Sequence, residues 1–374
     1  MRMRSLPLVV VLTLVLVGAA GARADAQPIP PGCTTDSLPS GALSLICVPP
    51  GWNGQLVVFA HGYIEVRQPL GLYNLQLADG TSLPTVIQAL GFAFATTSYR
   101  KNGLAILEGI ADIRELVAAF KTRVGPPART FIAGVSEGGA VAALLAERSP
   151  DLFTGALAAC GPVGSFWGQI EYIGDFRVLF DYYFPGVIPG SPISIPAEVI
   201  ANWTTVYVPR ILGAIAANPS GTLELLKVAR VPFEPADPTT VARSVIGLLW
   251  YNVLGTNDAK AMLGGNPYDN RFHWYFGSSN DLRLNLRVRR VAASAAALKN
   301  LRPYETTGRL KIPLVSLHTT RDEIVPVWHE LLYGLKARTS ERGIFVPVPV
   351  DRYGHCNFNA TEVLTAFVGL LSIP

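Results

Sequence analysis

Between Gln55 and Glu147 the chain alternates short apolar runs with stretches whose apolar residues recur every three or four positions. Gln55 to Ala60, Phe92 to Ser98 and Arg129 to Ala133 read as buried strands. Ser82 opens a short helix that Gly91 stops. Ile106, Ile110, Ile113, Val117, Phe120 and Val124 mark one face of a long amphipathic helix. Ala140 to Glu147 is strong helix-forming sequence. Strands and helices in alternation predict an α/β fold with a mainly parallel sheet flanked by helices.

Beyond Cys160 this rhythm breaks down. Pro185, Pro189, Pro192, Pro196 and Pro219 interrupt the next stretch, with helices expected at Thr240 to Val253 and at Leu286 to Leu298. Four of the six tryptophans lie here: Trp167, Trp203, Trp250 and Trp274. The strand pattern returns at Ile312 to Leu317 and again at Ile344 to Val350, and a C-terminal helix follows.

The chemistry gathers at the ends of these strands. Gly134-Val135-Ser136-Glu137-Gly138-Gly139 joins a strand to a helix. A sharp turn there lifts the serine oxygen clear of the sheet, and the glycines leave room for close chain approach. A later strand runs into His318-Thr319-Thr320-Arg321-Asp322-Glu323-Ile324-Val325-Pro326, a polar loop with an acid. The last strand ends in Tyr353-Gly354-His355-Cys356. A serine hydroxyl becomes a nucleophile when imidazole takes its proton and a carboxylate orients the imidazole. Ser136, His355 and Asp322 are therefore the candidate catalytic residues. Glu323 is the rival for the acid role.

In this order of elements the chain resembles the α/β-hydrolase superfamily. His318 to Pro326 is similar to that family's H-G-x-x-D-x-x-V-P loop, with Thr319 in place of glycine. The resemblance implies a core of residues 27–160 and 306–374, with a large helical cap at 161–305. It also implies an oxyanion hole built from the backbone N–H groups of Tyr63 and Glu137. The Tyr63 hydroxyl is a candidate third contact, and His61 is expected to bond the loop backbone. An aromatic cap over the triad would give an apolar substrate pocket. The pair His355-Cys356 is also similar to the tannase and feruloyl esterase group, although Val135 stands where that group has a cysteine before the serine.

Composition then bears on where the protein acts. A basic start, an apolar run from Leu6 to Val17 and small residues at Ala22 to Ala26 predict a signal peptide over residues 1–24. Its removal deletes three arginines and takes the net charge from +4 to +1. That balance gives no electrostatic case for nucleic acid or an anionic membrane. Four cysteines in an exported chain suggest disulfides. Cys33 and Cys47 flank a turn-rich stretch, while Cys160 and Cys356 both fall at the catalytic edge. These are the expected pairs, though spacing alone does not fix connectivity.

The expected function is a secreted or periplasmic serine hydrolase cleaving carboxylic esters, small or polymeric. No cofactor or metal is expected, since His273, His318 and His329 show no ligand spacing. His273 and His329 are expected to be surface or structural residues. A serine aminopeptidase is the alternative, with Glu171, Asp175 and Asp181 offering carboxylates for an ammonium group. A silent binding protein on the same scaffold is the third reading. The sequence leaves the oligomeric state open and gives no sign of a stable membrane anchor.

Overall fold

The computed structural model describes residues 30–338, 340 and 343–373. The predicted signal peptide at 1–24 lies outside the described residues. Eight strands form one sheet: β1 (Cys33–Ser37), β2 (Leu43–Cys47), β3 (Gln55–Ala60), β4 (Ala93–Thr97), β5 (Arg129–Val135), β6 (Gly155–Ala159), β7 (Leu314–Arg321) and β8 (Phe345–Tyr353). Their spatial order is β1-β2-β4-β3-β5-β6-β7-β8. The hairpin β1–β2 is antiparallel, β2 meets β4 antiparallel, and β3 to β8 are parallel. Parallel order brings the C-terminal ends of β3, β5, β7 and β8 to one edge, where the candidate residues sit.

Helices α1 (Leu83–Ala89), α2 (Ile106–Arg123) and α3 (Glu137–Arg148) follow the sequence reading closely. The insertion contributes α4 (Phe166–Tyr183), α5 (Ala197–Ala201), α6 (Val208–Ala217), α7 (Pro219–Val228), α8 (Thr239–Leu263), α9 (Asp281–Arg287) and α10 (Ala295–Leu301). The chain closes with α11 (Trp328–Ala337) and α12 (Ala360–Leu371), the latter opened by an Asn359–Glu362 capping box.

Both faces of the sheet are covered, by α2 and α3 on one side and by α1 and α12 on the other. Burial on both faces is why the central strands read as continuous apolar runs. The insertion has its own core, built on Phe176, Phe180, Trp203, Ile211, Leu225 and Leu249. Its last part is not separate from the sheet domain. Leu263, Ala297, Leu301 and Tyr304 pack in the same cluster as α2 and α3.

Two helix predictions in the insertion needed correction. The helix expected over Thr240 to Val253 runs on to Leu263 and stops at Gly264, which adopts φ +68°. The helix expected over Leu286 to Leu298 is two helices. Between them Val291 pairs with Asn270, its N–H donating to Asn270 Oδ1 at 2.7 Å and its carbonyl accepting from Asn270 N–H at 3.1 Å. Ser294 then caps α10. That long-range pairing outweighs the helical propensity of the intervening residues.

Candidate active site

Ser136 sits between β5 and α3 with φ +55° and ψ −121°, a strained position for a residue with a side chain. The two motif glycines explain how the turn closes. A Cβ on Gly134 would lie 1.9 Å from the Gly138 carbonyl oxygen, and one on Gly138 would lie 2.1 Å from that of Ala60. The Ser136 N–H donates to Ala159 O on the neighbouring strand at 2.9 Å.

The structure brings the three candidate residues into line. His355 Nε2 lies 2.8 Å from Ser136 Oγ, and His355 Nδ1 lies 2.8 Å from Asp322 Oδ2. Asp322 is buried, and its Oδ1 accepts from the N–H groups of Ile324 and Val325 at 2.9 and 2.8 Å. Burial alone would raise the Asp322 pKa. His355 and His318 beside it hold the carboxyl well below the usual range instead. Glu323, the rival acid, makes no bond to the imidazole ring. Burial raises its pKa, and one of its oxygens has no partner.

His318 has a part that its place in the loop pattern did not reveal. It is buried behind Asp322, with Nε2 3.6 Å from Asp322 Oδ2 and 2.7 Å from Val325 O. Its Nδ1 lies 2.8 Å from Glu330 Oε1. Burial would lower its pKa, but Asp322 and Glu330 outweigh that and raise it, favouring the charged ring. The departure at Thr319 also finds a reason. Its hydroxyl donates to Gly354 O at 2.8 Å, tying the acid loop to the histidine loop. The pairing of β7 with β8 shifts register between Thr319 and Arg321, just before Asp322.

Tyr63 and Glu137 line the same cavity as Ser136, and no hydrogen bond from either backbone N–H is found among the described residues. The Tyr63 hydroxyl does not join them. It faces Leu254 O on α8 at 3.5 Å, and its ring packs against Trp250 and Tyr251. The Glu137 side chain is buried, accepts from Ala105 N–H at 2.9 Å, and has its pKa raised to about 8 by burial. His61 bonds its own loop, with Nδ1 2.7 Å from Gly62 O. Gly62 N–H in turn donates to Asn74 Oδ1 at 3.0 Å.

A cavity of about 140 Å³ opens on Ser136, lined mainly by apolar groups including Phe166, Ile170, Ile173, Tyr251 and Ile324. None of the four tryptophans of the insertion lines it; its aromatic residues from the insertion are Phe166, Tyr251 and Tyr268 instead. Trp203 belongs to the insertion's own core, and Trp167 and Trp274 are exposed. Tyr251 is the aromatic that the sequence reading missed. It reaches Ser136 from α8, and burial raises its pKa while contact with the serine hydroxyl opposes that rise.

The insertion also holds the loops of Asp322 and His355. Gln169 Nε2 on α4 donates to Ile324 O at 2.8 Å, and the Tyr172 hydroxyl donates to Glu323 O at 2.9 Å. On α8, Ser244 Oγ and the Tyr353 hydroxyl lie 2.8 Å apart, and that hydroxyl donates to Thr240 O at 3.1 Å. His329 is a structural residue, accepting from Gly164 N–H at 3.1 Å. His273 is half-exposed and lies 2.7 Å from Asp175.

Both expected disulfides are present, Cys33–Cys47 across the β1–β2 hairpin and Cys160–Cys356 beside His355. Cys356 Sγ lies 3.3 Å from His355 Nε2. Cys160, His355 and Cys356 form a group of metal-type side chains, but its two sulfurs are bonded to each other.

No protein-family profile matches the chain, and no curated protein matches it. Solved structures do. A Pyrococcus furiosus esterase aligns at 12% identity and TM-score 0.45, over 90% of this chain and 88% of its own. A Mycobacterium smegmatis proline iminopeptidase aligns at 13% identity and TM-score 0.45, over 90% of this chain and 97% of its own. A Pyrococcus horikoshii acylaminoacyl peptidase aligns at 13% identity and TM-score 0.44, and this chain spans 37% of its length. From its sheet order, its parallel crossovers and the turn at Ser136, this chain has the α/β-hydrolase fold.

Proposed function

We propose that the protein is an exported serine hydrolase that cleaves carboxylic esters. The observation that carries this reading is the line Ser136–His355–Asp322, whose serine lines an apolar cavity. Ser136 Oγ attacks the acyl carbonyl while His355 Nε2 takes its proton. Asp322 orients the ring and balances the imidazolium charge. The developing oxyanion accepts hydrogen bonds from Tyr63 N–H and Glu137 N–H, each typically worth about 3 kcal/mol. His355 then gives its proton to the departing alcohol. Water, deprotonated by the same ring, attacks the acyl-enzyme and releases the acid.

The aminopeptidase alternative loses its main support. Gln169, Ile170 and Ile173 of α4 line the Ser136 cavity, whereas Glu171 and Asp175 line a separate cleft. Asp175 is taken by the hydroxyls of Tyr268 and Tyr275 and by His273. Asp181 pairs with Arg177 at 2.9 Å. Two disulfides support an oxidising location.

A fluorophosphonate probe should label wild type at Ser136 and leave Ser136→Ala unlabelled. Failure to label would favour a silent scaffold. Comparing kcat/KM for p-nitrophenyl esters and aminoacyl p-nitroanilides decides between ester and peptide. Faster Ser136-dependent anilide cleavage would overturn the ester reading.

A further inference from the structure

The outer side of the insertion carries a surface that the chemistry at Ser136 does not use. From Arg271 to Phe276 the chain runs as an irregular segment exposed at every position but Tyr275. Tyr275 is buried, and its hydroxyl donates to Asp175 at 2.6 Å. Phe272, Trp274 and Phe276 are exposed, at 92%, 46% and 61%. Helix α9 is bonded to this segment. Asn285 Oδ1 accepts from Tyr275 N–H at 2.9 Å, and its Nδ2 donates to Tyr275 O at 2.7 Å. Leu284 and Asn285 face inward, whereas Leu282 and Leu286, one turn apart, are 61% and 76% exposed. Exposed apolar residues scattered singly are ordinary. Five large ones on two joined elements form the kind of patch that marks an interaction site.

The charge carried by this stretch is mainly basic, although Glu224 of α7 bonds Ser279 and Asp181 of α4 lies near Arg289. Arg283 and Arg287, also one turn apart, run beside the two leucines, and Arg289 follows; all three are exposed. Residues 269–290 hold five arginines and two aspartates. Both aspartates are engaged, Asp269 with Arg271 at 2.7 Å and Asp281 with the N–H and hydroxyl of Ser278. Arg283 and Arg287 form no ion pair among the described residues. The net charge of the whole chain averages this asymmetry away.

Aromatic rings and leucines interleaved with unpaired arginines suit the boundary of an anionic bilayer. Rings and leucines settle into the headgroup and acyl boundary, and guanidinium groups pair with lipid phosphates. We propose that this face docks the protein onto anionic lipid surfaces, as a peripheral contact made by the segment and α9. The neighbouring residues Asn266, Pro267 and Tyr268 line the wall of the Ser136 cavity. The inference does not depend on the reaction assigned to Ser136.

Vesicle flotation tests it, with the disulfide-bonded protein and phosphatidylcholine vesicles with and without about 30% phosphatidylglycerol. The protein should float with the anionic vesicles only, and less so at high salt. Arg283→Gln with Arg287→Gln should lower partitioning roughly tenfold or more. Phe272→Ser with Leu286→Ser should lower it by a similar factor, and all four sites are exposed enough to leave Tm unchanged. Absence of flotation, or equal flotation on neutral vesicles, overturns the proposal without any variant. Patch variants that dissociate a dimer in sedimentation, with vesicle binding unchanged, would assign the face to a second copy of the chain and also overturn it.

Discussion

The sheet and the insertion hold the Ser136 site by different means. At the sheet, backbone geometry sets the serine: β5 feeds α3 through a turn in which side chains at Gly134 and Gly138 would collide with carbonyls. At the insertion, side chains reach across long sequence distances to loop carbonyls, as Gln169 does to Ile324 and Tyr172 to Glu323. The serine is thus placed by backbone packing within the sheet. The acid is held locally by the N–H groups of Ile324 and Val325, and its loop and the histidine's are braced from the insertion by residues some hundred or more positions away. Damage to one support should leave the other intact, and that difference can be measured.

The largest effects belong to the proposed triad. Ser136→Ala should cost about 10⁴-fold or more in kcat for an activated ester, with Tm unchanged. Asp322→Asn should cost roughly 10³–10⁴-fold, whereas Glu323→Gln should stay within about threefold. The opposite ranking of the two acids would move the orienting role to Glu323.

Next come the disulfides, both in the sheet domain, of which only Cys160–Cys356 lies at the site. Cys160–Cys356 closes a separation of 196 residues and Cys33–Cys47 one of 14. On a chain-entropy basis their loss should cost about 5 and about 3 kcal/mol respectively. Cys356→Ala with Cys160→Ala should also lower kcat, because the bond holds the loop of His355. Equal kcat losses in both double variants, read with Tm, would show no special role for the bond beside the triad.

Smaller effects separate insertion from sheet. Tyr172→Phe should lower kcat about fivefold, the equivalent of one hydrogen bond, with labelling of Ser136 by a fluorophosphonate still complete. An unchanged kcat would mean that the sheet alone positions Asp322.

The smallest effect is a pH dependence. Glu137 has its pKa raised to about 8 in the folded protein by burial. A raised carboxyl pKa favours folding fully below the unfolded value near 4.3, and this contribution is lost as pH rises through about 8. The Tm of Glu137→Gln should therefore gain on wild type between pH about 4 and about 8, then run parallel to it. The variant should also keep more of its kcat above pH 8, since ionised Glu137 lies beside the proposed oxyanion site. A constant Tm difference across that range would show that Glu137 is ionised throughout.

How far the sequence could be read follows the same division. Strands β3, β4 and β5 and helices α2 and α3 were legible because burial on both faces and a one-sided helix leave regular apolar patterns. The strand-turn-helix setting of Ser136 and the loops of Asp322 and His355 were legible for the same reason. The insertion was not. Its helices bury irregular faces against one another, and the break after Arg287 is imposed by pairing with Asn270, a contact no local window contains. Tyr251 had no motif to mark it, since only the packing of α8 over the sheet brings it to Ser136. The tryptophans misled because ring size signals burial somewhere without saying where.

Gln169 gives the fold a constraint on how it can diverge. One amide lines the cavity that would choose among substrates and also holds the carbonyl that shapes the acid loop. A substitution that widens the cavity there would disturb turnover in the same step. Substrate range in descendants of this chain should therefore drift first at Ile170, Ile173 and Ala259, which line the cavity without bonding either loop, while Gln169 resists change.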